Sequence, residues 1–497
     1  MKLEFTTGPV SSLTDDTVIA FTTEIKDIRD KFLKEVDAAS GGGLSRLVGN
    51  EEFTGKVGEI ASFVGPKDFG SGRLLLLGVG DRKNLSADCF RRAMGEVSRY
   101  RGLSRAETAA VHFGAFGDRD YFQAAIEGYL LGSFRLLDYK TGDSARDDYR
   151  LKQITFALPD KKRLKALQAA VERGQIIAEG QLLARRLAFT PANDLTPRKY
   201  AGKAQQLAKK YGFKCKVLDE KAIAAEKMGA LLGVAQGSVE PPRFLVLEYN
   251  GGRAGQKPVV LVGKGVTFDS GGISLKPGLN MHEMKQDMAG SAVVLSTIVT
   301  AVRLGLKINL VGLIPATENM PSGKATKPGD IHTSRKGKTI EIINTDAEGR
   351  LILADALDYA NEFKPQAVID IATLTGATLY ILGYSGAPIM GNNNRLLKRI
   401  EDGAEATSER VWTMPIWDDF RDQMKSSIAD LVNSGGRPAG TLAAGAFLEN
   451  FIGDWPWAHI DIAYVDLEPA GKAYVPKGAT GFGVRLLTEV LSNWKKL

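Results

Sequence analysis

Short apolar runs recur along the chain at intervals that suit alternating strands and helices. Six of them are predicted to be buried strands: Leu74–Leu77, Phe244–Leu247, Val259–Val262, Ile308–Leu313, Ala367–Ile371 and His459–Ile462. Between them, Ala289–Val302 and Leu353–Phe363 repeat their apolar residues with helical spacing. Because strands alternate with helices, the pattern predicts an α/β protein with largely parallel sheets.

The chain is 497 residues long, which is enough for two or three domains. A charged segment, Asp138–Lys152, precedes a predicted helix from Lys161 to about Leu187, and the proline-containing loop Thr190–Pro197 follows. We therefore predict an N-terminal α/β domain over residues 1–160, a linking helix over 161–190, and a larger domain over 191–497 that carries the chemistry.

Composition excludes a disordered or fibrous protein, since 44% of the residues are hydrophobic and 25% are charged. The net charge of +7 is a small excess over many opposite charges, so it favours a solvated surface over a nucleic-acid site. Only Cys89 and Cys215 occur, which favours a reducing cytoplasm, and the N-terminus resembles no secretory signal. The uncharged stretch Ile371–Met390 contains threonines, glycines and a proline, so we predict a strand and loop there and no membrane span.

Charged side chains interrupt the glycine-rich segment that follows the Val259–Val262 strand. Lys264, Asp269 and Lys276 lie in it, and Asp287 comes eleven residues later, just before the Ala289–Val302 helix. Loops that leave an α/β sheet are the usual place for a binding site. Taken alone, the same charges would suit a surface loop equally well.

A second segment carries Asp346, Glu348 and Arg350 in a compact connection between a predicted strand, Thr339–Ile343, and the next helix. If the segment is extended, these alternate positions point the same way. Two carboxylates and a guanidinium on one side of a glycine-containing turn suit a site for metal and anion.

Charge balance favours a centre with two metal ions. Asp269, Asp287, Asp346 and Glu348 together carry four negative charges, which two divalent cations would neutralise. The histidines of the chain do not form an H-E-x-x-H motif, so the ligands would be mainly oxygen atoms. Paired metals about 3.5–4 Å apart would jointly bind and activate a water nucleophile.

These residues resemble those of a known family, the M17 leucyl aminopeptidases or cytosol aminopeptidases. The run NTDAEGRL at 344–351 matches the family signature in full, and the lysines and aspartates at 264, 269, 276 and 287 keep the family spacing. Further matches are YKTG at 139–142, TPAND at 190–194, IATLTGA at 371–377, ADLVN at 429–433, and WAHIDIA and GATGFGVRLL near the end. The resemblance is nearly continuous over the catalytic half and weaker in the N-terminal half.

The resemblance implies a ligand set for each of two divalent metals, with manganese or zinc expected. One metal would bind Asp269, Glu348 and both the side chain and the main-chain carbonyl of Asp346. The other would bind Lys264, Asp269, Asp287 and Glu348, so Asp269 and Glu348 would bridge. Lys264 can bind a metal only as the neutral amine, so the metals must lower its pKa well below the usual value of about 10.4.

Two further residues would be catalytic by the same resemblance. Lys276 would stay protonated, polarise the scissile carbonyl and stabilise the tetrahedral oxyanion. Arg350 would hold a bicarbonate ion that accepts a proton from the nucleophilic water. The residues implied to line or frame the substrate site are Met284, Asn344, Thr373, Leu374 and Gly376.

The resemblance also implies a smaller N-terminal domain of the macro-domain type, a larger dinuclear-metal aminopeptidase domain, and a cytoplasmic homohexamer whose active sites face an interior cavity. Its substrates would be short peptides with a free N-terminus, cleaved after leucine or another, mostly apolar, residue. The chain departs from the family at Phe189, at His332 and Arg335, and at Tyr464, where a glycine is usual. None of these positions is a ligand, so they bear on the shape of the specificity pocket.

Two other functions remain open from the sequence. A two-metal phosphohydrolase would use similar carboxylates, although no phosphate-binding loop matches. A DNA-binding role, known for some bacterial members of the family, would draw on the positive net charge and is compatible with catalysis.

Overall fold

The computed structural model describes residues 1–67, 69–142, 151–158 and 161–495. They form two compact units: residues 1–179 with 470–476 make up the first, and residues 180–469 with 477–497 the second. Residues 143–150 of the predicted charged segment and the predicted boundary at residue 160 lie outside the described residues.

The first unit is built on a six-stranded sheet. Its strands are β1 (Lys2–Thr7), β2 (Thr17–Thr22), β3 (Ile60–Val64), β4 (Arg73–Gly78), β5 (Thr108–His112) and β6 (Gln153–Leu158), and its helices are α1 (Lys31–Ala39), α2 (Gly43–Gly49), α3 (Ala87–Val97) and α4 (Arg119–Gly132). The strand order is β1-β6-β5-β2-β4-β3, and every pairing is parallel except that of β3 with β4. Apolar clusters cover both faces of the sheet.

A long helix, α5 (Leu164–Phe189), continues the chain from the first unit into the second. Its range overlaps most of the predicted linking helix. The loop after it contains Pro191, and α6 (Pro197–Tyr211) begins with a proline in its first turn and Thr196 as its N-cap. The Thr190–Pro197 segment therefore separates the end of α5 from the start of α6.

The second unit contains a nine-stranded sheet. Its strands are β7 (Lys214–Leu218), β8 (Arg243–Asn250), β9 (Val259–Gly263), β10 (Gly265–Asp269), β11 (Asn309–Asn319), β14 (Ala367–Ala372), β15 (Ala387–Gly391), β16 (Val411–Thr413) and β18 (Trp457–Asp461). Their order is β16-β15-β18-β14-β9-β11-β8-β7, with β10 paired to β11. The smaller sheets contain β12 (Ile331–Thr333), β13 (Thr339–Glu341) and β17 (Leu431–Val432), and β19 (Leu467–Glu468) with β20 (Gly478–Ala479). The central strands β18, β14, β9 and β11 are parallel, so their carboxyl ends meet at one edge.

The remaining helices pack around this sheet. They are α7 (Glu220–Ala225), α8 (Gly229–Ala235), α9 (Ala289–Leu304), α10 (Gly349–Tyr359), α11 (Asn394–Thr407), α12 (Asp418–Asp422), α13 (Gly440–Glu449) and α14 (Val484–Ser492). Two apolar clusters, one on each face of the sheet, contain the side chains that alternate along β9: Val259 and Leu261 belong to one, Val260 and Val262 to the other. A strand buried on both faces explains why this run is apolar without interruption.

All six predicted strands are observed, and the α/β class with two domains is confirmed. The Ile371–Met390 stretch is the end of β14, a 3-10 turn at Gly376–Tyr380 and β15. Another stretch, Met281–Leu304, has the length and composition to cross a membrane, but 78% of its most apolar window is buried in the protein. Its main part, α9, is therefore a helix of the protein core.

Candidate metal centre

The charged residues of both predicted segments converge at the carboxyl edge of the parallel strands. Lys264 directly follows β9, and Asp269 is the last residue of β10. Asp287 lies between the 3-10 turn Met281–Gln286 and α9, while Glu348 is the N-cap residue of α10 and Asp346 precedes it by two residues. The fold therefore brings together side chains that are up to 84 positions apart in the chain.

Two lysines are paired with four carboxylates in this cluster. The Lys264 Nζ atom lies 2.7 Å from Asp287 Oδ1 and 2.8 Å from Glu348 Oε1. The Lys276 Nζ atom lies 2.7 Å from Asp269 Oδ2 and 2.5 Å from Asp346 Oδ1. Each ammonium group therefore sits between two carboxylates, in the kind of position that a metal ion would take.

Carboxylate oxygens of Asp269, Asp346 and Glu348 all lie within 4.8 Å of one another. Asp269 and Glu348 are buried, and Asp287 Oδ2 is a buried oxygen without a hydrogen-bond partner among the described residues. Unpaired carboxylate oxygens are costly to bury, so this donor set fits hard divalent cations. The group contains no histidine within the described part of the chain, in line with the predicted oxygen ligands.

The Ser-Gly-Gly sequence after Asp269 allows the chain to fold back over the cluster. Gly271 has a φ of +87°, and a β-carbon there would lie 2.5 Å from the Ser274 carbonyl oxygen. The turn closes with a hydrogen bond from the Lys276 amide to the Ser270 carbonyl, 2.9 Å long. Only glycine fits this turn without a shift, and the turn brings the Lys276 side chain back to Asp269.

Gly349 has a different function, because it lets Lys264 reach Glu348. A β-carbon at Gly349 would lie 2.6 Å from Lys264 Cε and 2.7 Å from its Nζ. The Lys264 side chain thus passes over the first turn of α10, where any larger residue would displace it.

Buried amides that the sequence analysis missed hold the carboxylates in place. The Asn319 side chain donates to Asp269 Oδ1 (2.8 Å) and to the Thr345 carbonyl (3.0 Å). The Asn433 side chain donates to the carbonyls of Asn344 (2.7 Å) and Ala347 (3.3 Å), and accepts from the amides of Ile343 (2.8 Å) and Asn344 (3.2 Å). Asn433 therefore fixes the backbone on both sides of Asp346.

Asp461, at the end of β18, was missed as well. It is fully buried and accepts hydrogen bonds from the amides of Leu374 (3.0 Å) and Thr375 (3.4 Å) and from the Thr375 hydroxyl (2.7 Å). Asn319 and Asp461 share one sequence signal, a polar residue at the carboxyl end of a buried parallel strand, which is where α/β sheets place their sites.

The electrostatics of the cluster favour added positive charge. Burial opposes the charged form of both lysines, but the surrounding carboxylates outweigh it and raise the pKa of Lys264 and that of Lys276. Burial, with the charge of Asp269, raises the pKa of Asp346 to about 6, and burial raises the pKa of Asp287 well above its usual value. Four carboxylates thus outnumber two lysines in a buried space, a negative excess that divalent cations would neutralise.

Arg350 lies beside the cluster with its guanidinium buried. One of its Nη atoms donates to the Asn433 carbonyl (2.9 Å), whereas its Nε has no hydrogen-bond partner among the described residues. Burial lowers the pKa of Arg350 to about 10, so the group is still cationic at neutral pH. A buried cation with a free donor suits a small anion.

The structure places the five predicted substrate residues on three segments of the second unit. Thr373 donates its hydroxyl proton to Asp287 Oδ1 (2.8 Å), and its carbonyl accepts from Lys264 Nζ (2.8 Å). Asn344 accepts the Asp346 amide through Oδ1 (2.9 Å). Leu374 follows Thr373, Gly376 begins the 3-10 turn behind it, and Met284 lies half-buried in the turn before Asp287.

Comparison with known proteins assigns both units to one protein family. Residues 182–488 match the catalytic domain, and residues 18–143 the N-terminal domain, of the cytosol aminopeptidase family. The chain is 46% identical to a probable cytosol aminopeptidase of Syntrophotalea carbinolica, over 93% of this chain and 94% of the relative. It is 44% identical to a cytosol aminopeptidase of Pseudomonas aeruginosa, over 92% of each.

A solved structure with a similar fold is that of the bottromycin maturation enzyme BotP in complex with Mn. The TM-score is 0.85 at 33% sequence identity, and the match covers 96% of this chain and 99% of the other.

Proposed function

The chain belongs to the cytosol aminopeptidase family, and from this premise we propose that it removes leucine and other, mostly apolar, N-terminal residues from short peptides with the help of two divalent cations. Membership of the family makes it a metal-dependent peptidase. Which N-terminal residue is removed and how many metal ions take part are what we propose.

The observation that carries the proposal is the buried carboxylate cluster. Three carboxylates offer oxygens within 4.8 Å of one another, and a fourth, Asp287, has a buried oxygen without a partner among the described residues. Asp269, Asp346 and Glu348 would hold one cation, and Asp269, Asp287, Glu348 and Lys264 the other. Bound cations would supply Lewis acidity and lower the pKa of a water molecule.

The two lysines would then have different functions. Lys264 is enclosed by Asp287, Glu348 and the Thr373 carbonyl. An ammonium group has no lone pair, so Lys264 would bind a cation only if the incoming cation displaced its proton. Lys276 is more exposed, with 21% of its side chain accessible, and lies at the open side of Asp269 and Asp346. From there its ammonium group can donate to the scissile carbonyl oxygen and stabilise the charge that develops on it.

Arg350 would hold the proton acceptor of the reaction. Its buried guanidinium has a free Nε donor among the described residues, which supports a small bound anion such as bicarbonate. A bicarbonate oxygen held there would accept the proton that the nucleophile loses. The bicarbonate would thus supply a proton acceptor in a site whose carboxylates would bind the cations.

A free amine at the substrate N-terminus would be recognised near Asp287. Thr373 occupies one oxygen of this carboxylate, while the other has no described partner. An acetylated N-terminus has neither a basic lone pair nor a positive charge, so it would lose this contact. The resulting misplacement of the carbonyl would add a rate penalty of about 10²-fold.

The test compares leucinamide with N-acetyl-leucinamide on protein loaded with manganese or zinc. We expect kcat/KM to be at least 10²-fold higher for the free amine. Asp346→Asn should bind less metal and lose turnover while staying folded, whereas Asp402→Asn, at an exposed surface pair with Lys398, serves as the control. Comparable kcat/KM for free and blocked substrates would exclude an aminopeptidase.

The assembly and the compartment complete the proposal. Relatives of this chain are named cytosol aminopeptidases, which supports a cytoplasmic protein. We expect a homohexamer, and analytical ultracentrifugation of the full chain tests this. A sedimentation mass of a single chain at micromolar concentration would contradict it.

A further inference from the structure

Tyr464 has an unusual backbone conformation. Its φ is +71°, a left-handed value that favours glycine and is a genuine outlier for a residue as bulky as tyrosine. The chain around it is held by hydrogen bonds: the Tyr464 amide donates to the Asp466 carboxylate, Ile462 donates to the Ala372 carbonyl (2.8 Å), and the Thr378 hydroxyl donates to the Ala463 carbonyl (3.1 Å). Such conformations persist only where the surroundings enforce them, and they are frequent at ligand sites.

The side chain of Tyr464 lies over the loop that joins β14 to the 3-10 turn. A β-carbon built at Gly376 would lie 3.8 Å from the Tyr464 hydroxyl oxygen, an ordinary van der Waals contact. The ring meets Tyr384 edge to face, with centroids 5.7 Å apart and planes at 86°. Tyr464 is half-buried, so the surrounding residues do not enclose it completely.

This loop connects Tyr464 to the metal centre. Thr373, three residues before Gly376, contacts both Lys264 and Asp287. Burial raises the pKa of Tyr464, with the neighbouring Tyr384 acting in the same direction, while the charge of Lys276 acts to lower it. The phenol therefore stays protonated and lies within the electrostatic reach of the cluster.

We propose that Tyr464 determines substrate specificity, its ring forming a wall of the space that takes the side chain of the N-terminal residue and excluding the bulkiest side chains from it. This inference rests on the proposed function, in which the free amine binds beside Asp287. The residue that bears this amine then directs its side chain along the segment from Thr373 to Gly376, over which Tyr464 lies. The ring therefore limits the size of the residue that can be cleaved.

The expected effect follows from the size of the ring. Replacing tyrosine by glycine removes the whole phenol and leaves a backbone conformation that glycine adopts freely. A difference of one methylene in an apolar pocket changes kcat/KM by about 10–200-fold. Removing the ring should therefore raise the ratio of kcat/KM for a tryptophanyl substrate to that for an alanyl substrate by about 10-fold or more relative to the wild type.

The experiment measures kcat/KM for the amides of alanine, leucine, phenylalanine and tryptophan on the metal-loaded full chain. Tyr464→Gly should raise the ratio of tryptophan to alanine at least about 10-fold. Tyr464→Asn is the second small variant, since asparagine tolerates the left-handed conformation, and it should shift the ratio in the same direction. Tyr464→Phe keeps the ring and should keep the wild-type ratio.

A matched control separates the effect of removing the ring from the effect of relieving the left-handed backbone. Lys364 also has a left-handed φ, +45°, but lies exposed at the end of the 3-10 turn Ala360–Phe363. Lys364→Gly relieves the same kind of backbone strain and should leave the substrate ratio unchanged. Thermal denaturation of each variant shows that it is folded.

The outcomes distinguish this inference from the proposed function. A wild-type protein that cleaves none of the four amides with metal bound overturns both. A wild-type protein that is active, with Tyr464→Gly and Tyr464→Asn ratios within twofold of it, overturns the specificity inference alone. A shift as large in Lys364→Gly also overturns it, because the cause would then lie in the backbone.

Discussion

Replacing Asn433 by alanine should destabilise the second unit and weaken metal binding together. The side chain is fully buried and makes four hydrogen bonds to the backbone of residues 343–347. At about 0.5–1.5 kcal/mol for each bond, the loss in unfolding free energy is roughly 2–6 kcal/mol. Two of the bonds, at 3.2 and 3.3 Å, are long, so we expect the lower half of that range, about 2–4 kcal/mol.

The effect on metal binding arises because Asn433 fixes the segment that carries Asp346. Groups that orient a metal ligand without touching the metal typically contribute 10–100-fold to affinity, so Asn433→Ala should raise the dissociation constant for manganese by about that factor. Isothermal titration of the metal-free protein measures this constant. All five tryptophans lie between residues 412 and 494, so their fluorescence in urea follows the unfolding of the second unit.

Asn450 provides the control for this measurement. It also hydrogen-bonds a backbone carbonyl, that of Ala446 (2.9 Å), and accepts from Lys338 (3.0 Å), but it is half-exposed and, among the described residues, none of its hydrogen bonds reaches the 343–348 segment. Asn450 makes two such side-chain bonds where Asn433 makes four, and it is partly exposed, so Asn450→Ala should cost at most about half as much stability and leave the metal affinity unchanged. The reasoning is refuted if Asn433→Ala loses no more stability than Asn450→Ala, or if it binds manganese as tightly as the wild type.

Three further predictions follow from the centre and its surroundings. Lys264→Ala should lower the metal content measured by mass spectrometry, whereas Lys276→Ala should keep the metal and slow turnover by about 10²–10³; equal metal loss in both would disprove the division. Arg350→Ala should slow hydrolysis, and added bicarbonate should accelerate the wild type more than the variant; identical responses would remove the support for a bound anion. Burial raises the pKa of Asp355 from 3.8 to about 7, so the native state binds more protons than the unfolded state between these pH values and is destabilised as pH rises. The unfolding free energy of the wild type relative to Asp355→Asn should therefore fall by roughly 2–4 kcal/mol from pH 4 to pH 8, and a constant difference would contradict the assignment.

The strands and the compact group of charged residues after β13 were predictable because their signals are local. A run such as Val259–Val262 is apolar throughout, and NTDAEGRL keeps Asp346, Glu348 and Arg350 within five residues of one another. The first turn of α10 was missed, since its helix begins at Gly349 and not at Leu353. Gly349 and Arg350 carry no apolar periodicity, and glycine is needed at 349 because of its close approach to Lys264.

The supporting residues were not predictable, because their partners are distant in the chain. Asn319 lies opposite Asp269 through the register of β11 with β10, and Asp461 lies opposite Ala372 through that of β18 with β14. Asn433 is 89 positions from Asn344. Tyr464 stood out as a departure from the family, but its left-handed backbone depends on hydrogen bonds that only the folded chain provides.

The short segment 470–476 has a consequence for synthesis on the ribosome. It belongs to the first unit, where the Tyr474 hydroxyl donates to Asp88 (2.9 Å) and the Tyr474 ring lies 5.7 Å from the Arg91 guanidinium. These residues are made roughly 290 positions after the first unit otherwise ends, which at about 5–20 residues per second is a delay of roughly 15–60 s. During that interval the nascent first unit leaves Asp88 without its phenol partner, so its packing is completed only after residues 180–469 of the second unit have been synthesised.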